Sequence, residues 1–247
     1  MIKNIYKNFL ENWIPYGFQT LVVIIGILIA LVLQNWNEAR KESIQELKYL
    51  KRVQNDLAQD TAYFNNSVNL CKELVKKNQN AWRVAYDEQK TLEQFRYFLN
   101  QIDTYSIPFQ IQNATYIDLI NTGNINIFRN GALKIEIIQY YRECEFIEKD
   151  VDDLKDFSSQ LLINAFSKGV SFGKYQELNS SLLLPSMINP KDWAYMDDYN
   201  SLEFKALNES IQFTYVKNLF FISDFARLNK SAQNLLLQID KELKMRE

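Results

Sequence analysis

The chain has 247 residues, 47% of them hydrophobic, a net charge of −2, six glycines, four prolines and no histidine. Such a length and hydrophobic share support one sizeable core and exclude a disordered chain, while the near-neutral charge denies the broad positive field that nucleic-acid binding needs. The lack of histidine removes the usual neutral-pH general base, the His-containing triads and the mixed His and carboxylate metal sites. No phosphate loop, dinucleotide fingerprint or nucleophile elbow occurs, so the expectation is a non-enzyme with no catalytic residue, cofactor or metal.

Scarce glycine and proline, with abundant Leu, Ile, Lys, Glu and Gln, favour long helices over turn-rich β structure. The predicted class is all-α: an N-terminal transmembrane helix continuing into an elongated helical bundle with coiled-coil-like packing. Residues 1–16 form a short N-terminal segment, 17–36 the transmembrane helix and 37–247 a helical extramembrane domain. No charged residue occurs from Asn12 to Asn37, and Leu21 to Leu33 is continuously apolar. From Gly17 to Trp36 a helix rises about 30 Å, the thickness of the bilayer's hydrocarbon core. Trp13 and Tyr16 before this segment and Trp36 after it stand where interfacial aromatic belts form. A cleavable signal peptide is the competing reading, but the run is long for one, lacks a small-x-small cleavage site and passes directly into a helical pattern. Gly26 and Ala30 make a small-xxx-small pair, a candidate helix–helix contact in the membrane. Lys3 and Lys7 precede the span while Arg40, Lys41, Lys48, Lys51 and Arg52 follow it. That count points the large domain inward, although large domains translocate largely regardless of charge.

Beyond the span no glycine or proline occurs before Pro108. A heptad stripe of Leu47, Leu50, Leu57, Phe64, Val68, Cys71, Val75, Trp82 and Ala85, interrupted by Gln54, Thr61 and Asn78, predicts a long stalk helix packed inside a bundle. Thr91 with Gln94 reads as a capping box opening a short helix through about Asn100, and Ser106-Ile107-Pro108 breaks the chain after it. A helix from about Ala114 ends at Gly123, which suits a left-handed cap. Spacings of four and three then alternate through Leu133, Ile137, Tyr140, Cys144, Ile147, Val151, Leu154, Ser158, Leu161 and Ala165, predicting a helix from near Gly131 to Ser167. Gly169, Gly173, Ser180, Ser181, Pro185 and Pro190 mark an irregular crossing. Asn200 with Glu203 offers a second capping box, and the chain from there to Lys244 reads as one long helix, central in the bundle or buried against a partner.

On that last helix Ile211 to Leu228 is apolar on more than one face, which makes Phe213, Phe220, Phe221 and Phe225 the candidate partner-binding residues. Asn121, Asn124, Arg129, Tyr140 and Tyr141 form a second candidate cluster, whose amides, guanidinium and phenols could orient a small polar molecule. A helix cap and turn needs the same residues. In the acidic run from Glu143 to Asp156, Glu145, Glu148, Asp152 and Asp156 share a face and read as solvated surface, with a divalent cation or a basic partner as the functional alternative. Cys71 and Cys144 read as buried small hydrophobes, and the sequence leaves open whether they pair, which requires an oxidising compartment and facing helices.

Two segments, LVVIIGILIALVLQNWNE from Leu21 to Glu38 and TYIDLINTGNINIFRNGALKIEIIQYY from Thr115 to Tyr141, resemble an uncharacterised family of single-pass membrane proteins widespread in Bacteroidota. Gln19 stands where that family commonly has Glu, and Phe18 where it has Gly. The resemblance implies a bacterial inner-membrane protein with a periplasmic helical domain, and it brings no activity, ligand or catalytic residue. The expected function is a membrane-anchored helical interaction or scaffold module, or an accessory subunit. It would sit in the lipid bilayer and bind a protein partner or a second copy through helix packing. A periplasmic small-ligand sensor signalling through a membrane partner is the alternative.

Overall fold

The computed structural model describes the backbone of residues 2–86, 91–102, 106–170, 175 and 182–246, with side chains from residue 17 onward. Five α-helices are found among these: α1 (Ile2–Ala85), α2 (Leu92–Gln101), α3 (Ala114–Asn121), α4 (Gly131–Ser167) and α5 (Leu202–Lys244), and no strand. The predicted crossing contains short 3-10 turns at Pro185–Met187, Pro190–Asp192 and Ala194–Asp197; Gly173, Ser180 and Ser181 lie outside the described residues.

Helix α1 runs for 84 residues, about 125 Å at the usual rise. No glycine or proline interrupts it between Ile27 and Ala85. Its large apolar side chains from Leu21 to Leu33 are 46–65% exposed. Among the described residues it is the one helix long and apolar enough to cross a membrane: its most apolar 18-residue window has a mean hydropathy of 2.3 and none of that window is buried.

From Glu46 onward α1 turns one face inward. Apart from Tyr49, its buried positions are Glu46, Leu50, Val53, Leu57, Asp60, Phe64, Ser67, Cys71, Leu74, Asn78, Ala81 and Ala85, alternating spacings of four and three. Half of the predicted stripe is therefore shifted by one residue. Leu47, Gln54, Thr61, Val68, Val75 and Trp82 are half-buried flanks, and the seam holds Glu46, Val53, Asp60, Ser67, Leu74 and Ala81 instead. The predicted seam of α4 needs no such shift: Leu133 to Ala165 are buried at each position except Leu154 and Leu161, which are half-buried.

Helix α5 lies antiparallel to both α1 and α4. Along α1 the pairs Asn65–Asn229 (2.7 Å) and Trp82–Asn208 (2.7 Å) set the register, and along α4 the Arg227–Glu143 ion pair (3.3 Å) and the Phe157–Phe213 ring contact (4.7 Å) do so. The remaining side is composite, made of α2, the extended chain from Ser106 to Asn113, and α3. There Tyr63 donates its hydroxyl hydrogen to the Pro108 carbonyl, and Tyr116 stacks on Tyr141 at 4.4 Å.

Local signals place the ends. Thr91 and Gln94 form the predicted reciprocal capping box, and Gly123 takes the left-handed conformation at φ +72°. The cap of α5 is Ser201, one residue beyond the predicted Asn200, and its Oγ accepts from the Phe204 amide at 3.1 Å. Ser201→Ala is therefore expected to cost about 1 kcal/mol and Asn200→Ala far less, a contrast that thermal unfolding followed by circular dichroism resolves.

The core divides into two apolar clusters. One, around Phe64, Phe221 and Phe225, fills the half nearer the exposed apolar helix; the other, around Phe95, Phe98, Tyr175 and Trp193, fills the far half. Between them lies a buried polar layer of Asn78, Ser158, Thr214, Lys217 and Asn218. Lys217 is wholly buried, with its Nζ 2.9 Å from Ser106 Oγ and 3.4 Å from Ser158 Oγ.

Candidate functional site

The candidate polar cluster is not brought together. Asn121 is exposed. Asn124 donates to the Tyr49 hydroxyl at 2.9 Å, and Tyr49 in turn donates to Asp118 at 3.2 Å. Arg129 gives its side chain to the Ala39 carbonyl (2.9 Å) and its amide to Glu46 (2.7 Å). Tyr140 and Tyr141 sit about four turns of α1 higher, where Tyr140 donates to Asp60 (2.7 Å) and Tyr141 to the Gln112 carbonyl (3.1 Å). Asn121 apart, these groups are spread along the bundle because each fastens one element to the next. Burial pushes both phenols above the ordinary tyrosine range.

Two buried acidic centres escaped the sequence reading. Glu46, 1% exposed, holds the Arg129 amide and an ion pair with Arg246, whose guanidinium also reaches Glu242. Asn130 both caps α4, accepting from the Leu133 amide at 3.1 Å, and donates to Glu242 at 2.8 Å. The Asn130 hydrogen bond, helped by Arg246, holds the Glu242 carboxyl below its ordinary range. Asp60, also 1% exposed, accepts from Tyr140 and from the Gln112 amide, each at 2.7 Å.

Cys71 and Cys144 are buried, unpaired thiols. Burial pushes Cys71 up to about 12, against a smaller opposing pull from Lys217, and raises Cys144 as well. Neither is expected to react with a maleimide at neutral pH until the protein unfolds, since the thiolate is the nucleophile; mass spectrometry of the labelled native chain checks this.

Of the candidate partner-binding phenylalanines, Phe221 and Phe225 are fully buried in the molecule's own core, Phe225 stacked on Phe64 at 6.0 Å. They are closed to a partner. Phe213 is half-buried against Phe157, and Phe220 is 55% exposed. Phe220 lines an open groove of about 330 Å³ between α4 and α5, together with Asp150, Asp153, Leu154 and Asp224. A larger open groove, about 710 Å³, runs along α1 beside the start of α3, with Ile44, Leu47, Lys48, Lys51 and Arg52 among its lining residues. Arg52 is already paired with Asp118 at 2.9 Å.

Gly26 and Ala30 lie one turn apart on the exposed apolar part of α1, and a Cβ added at Gly26 would meet nothing within 4 Å.

No curated protein and no solved structure is detectably similar to this chain. A family of unknown function, DUF6090, matches residues 19–157, from the exposed apolar helix through most of α4. By that match, which spans more than half of its length, the chain belongs to the DUF6090 family of unknown function.

Proposed function

We propose that this chain is a single-pass membrane protein whose helical bundle is a docking module for a partner protein, without an activity of its own. The carrying observation is the unbroken passage of α1 from an unburied apolar stretch into a packed bundle. An apolar surface of that length has no stable place in water, and about 30 Å of it matches the hydrocarbon core. The bundle begins at once beyond it. Arg129 reaches the Ala39 carbonyl, three residues past Trp36, so the foot of the bundle would rest about 5 Å beyond the hydrocarbon. On this reading the chain lies in the inner membrane of a Bacteroidota bacterium with its bundle in the periplasm, as the resemblance of Leu21 to Glu38 and Thr115 to Tyr141 supports. The α1–α3 and α4–α5 grooves are open, and Asn124, Arg129, Tyr140 and Tyr141 are bonded within the bundle, which favours a protein partner over a small-molecule sensor.

Alkaline extraction of native membranes tests the tether, and chemical cross-linking with mass spectrometry tests the docking. The chain is expected to stay in the membrane pellet and to cross-link through its bundle to another protein. Release into the supernatant, or a strictly monomeric chain with intrachain cross-links alone, sinks the proposal.

A further inference from the structure

We infer that the groove between α4 and α5 is a docking site for a basic amphipathic helix of a partner protein. The inference rests on the docking-module reading and names the chemistry of the partner. On α4 the residues Phe146, Asp150, Asp153 and Phe157 recur at spacings of four, three and four, so they form one stripe along about three turns. Phe146 is 63% and Phe157 48% exposed. Across the groove α5 presents Phe220 and Asp224. The surface thus reads aromatic, acidic, aromatic along its length, with Leu154 in its floor. Asp224 is paired with Arg227 at 3.1 Å, whereas no described cation pairs with Asp150 or Asp153.

Three occupants compete, and the geometry separates them. A bilayer is out of reach. Tyr140 bonds to Asp60, and α4 runs parallel to α1, so Asp150 stands level with about residue 70, some 50 Å beyond Trp36 at about 1.5 Å per residue. A second copy docked about a two-fold axis sets these aspartates against their own images, which like-charge repulsion opposes. A helix presenting a Lys or Arg, with an apolar side chain one turn to either side, matches both the charge and the spacing. Its cation would sit between Asp150 and Asp153 while its apolar neighbours cover Phe220 and the outer phenylalanines. That cover also removes apolar surface from water, which explains why large rings stand exposed beside carboxylates.

The test uses the full chain in zwitterionic nanodiscs, with empty discs as the blank. The probe is a fluorescent synthetic helix carrying Leu, Lys and Leu on successive turns, and its control is the same helix with Glu for Lys. Saturable anisotropy with the Lys probe and none with the Glu probe is expected. Phe220→Ala, and separately the double change Asp150→Asn with Asp153→Asn, should each weaken binding about tenfold, one through lost apolar contact and the other through lost charge. Asp152→Asn, whose carboxylate lies off the groove and pairs with Lys155 at 3.1 Å, should change it little. Absence of saturable binding of the Lys probe, equal binding of both probes, or indifference to Phe220→Ala overturns the inference. So does a photo-cross-linker at position 220 that joins two copies of this chain. Native cross-links that map to a partner at the α1–α3 groove instead would sink this site while leaving the docking module standing; a chain that cross-links to nothing sinks the module as well.

Discussion

Glu46→Leu is expected to lower stability by about 3–5 kcal/mol, a fall of roughly 10 °C in unfolding temperature for a chain of this size. Glu46 is 1% exposed at the foot of the bundle, where three elements meet. Its carboxylate takes the Arg129 amide at 2.7 Å and the Arg246 guanidinium, joining α1 to the entry of α4 and the end of α5. Leucine fills the space but removes both acceptors. The Arg129 amide is then left without its partner, and Arg246, whose side chain is 18% exposed, keeps Glu242 alone. Breaking one side of a buried pair costs more than the pair itself contributes, because the remaining charge stays desolvated. Glu46→Gln retains an acceptor for the amide and should cost about 1–2 kcal/mol. The sharper check is a cycle with Arg246→Leu: the double variant should lose less than the two single losses added together, since the second change removes the stranded cation. Additive losses measured by thermal unfolding in detergent would show that the two residues do not act as one unit.

This foot was invisible in the sequence for a definite reason. Pattern reading takes apolar residues as inward-facing, so Leu47, Val68 and Val75 drew half of the predicted seam one residue away from Glu46, Asp60 and Ser67. Those polar residues can face inward only because partners distant in sequence satisfy them: Arg129 and Arg246 for Glu46, Tyr140 and Gln112 for Asp60. Helix α4 was legible throughout because its inward positions are nearly all apolar or small. The caps at Thr91 and Gly123 were legible because their chemistry is local. Ser201 was missed by one residue because Asn200 and Ser201 are both competent caps, and the choice follows from the preceding turn, where the Asn200 amide bonds Asp198 at 2.9 Å. The candidate site was legible in part. The sequence singled out Phe220 and the acidic run, though there on the face of Glu145, Glu148, Asp152 and Asp156 and not that of Asp150 and Asp153, and it offered Phe221 and Phe225 to a partner although both are buried in the core. Which rings face the core depends on α5 lying between α1 and α4, and no periodicity of one helix contains that fact.

The largest pH effect is expected at Asp60. Burial is the main cause that lifts its carboxyl from 3.8 to about 6, and nearby Asp56 adds to the rise, while hydrogen bonds from the Gln112 amide and Tyr140 oppose it. With the folded value above the unfolded one, the folded protein holds this proton more tightly. The resulting stabilisation is whole below pH 3.8 and is lost as pH rises through about 6. The difference corresponds to about 3 kcal/mol. Asp60→Asn carries no charge at any pH, and its amide oxygen can still accept from Gln112. Its stability relative to the wild type should therefore rise by about 2 kcal/mol between pH 4 and pH 7, or roughly 4–8 °C in unfolding temperature. Burial raises Tyr140, Tyr141 and Cys144, which also face Asp60, above their ordinary values and so away from this window. A constant difference between the two proteins across that range would mean that the Asp60 carboxylate is stabilised as fully by Tyr140 and Gln112 as it is by water. The buried acid would then be a fastening alone, with no cost to its charge.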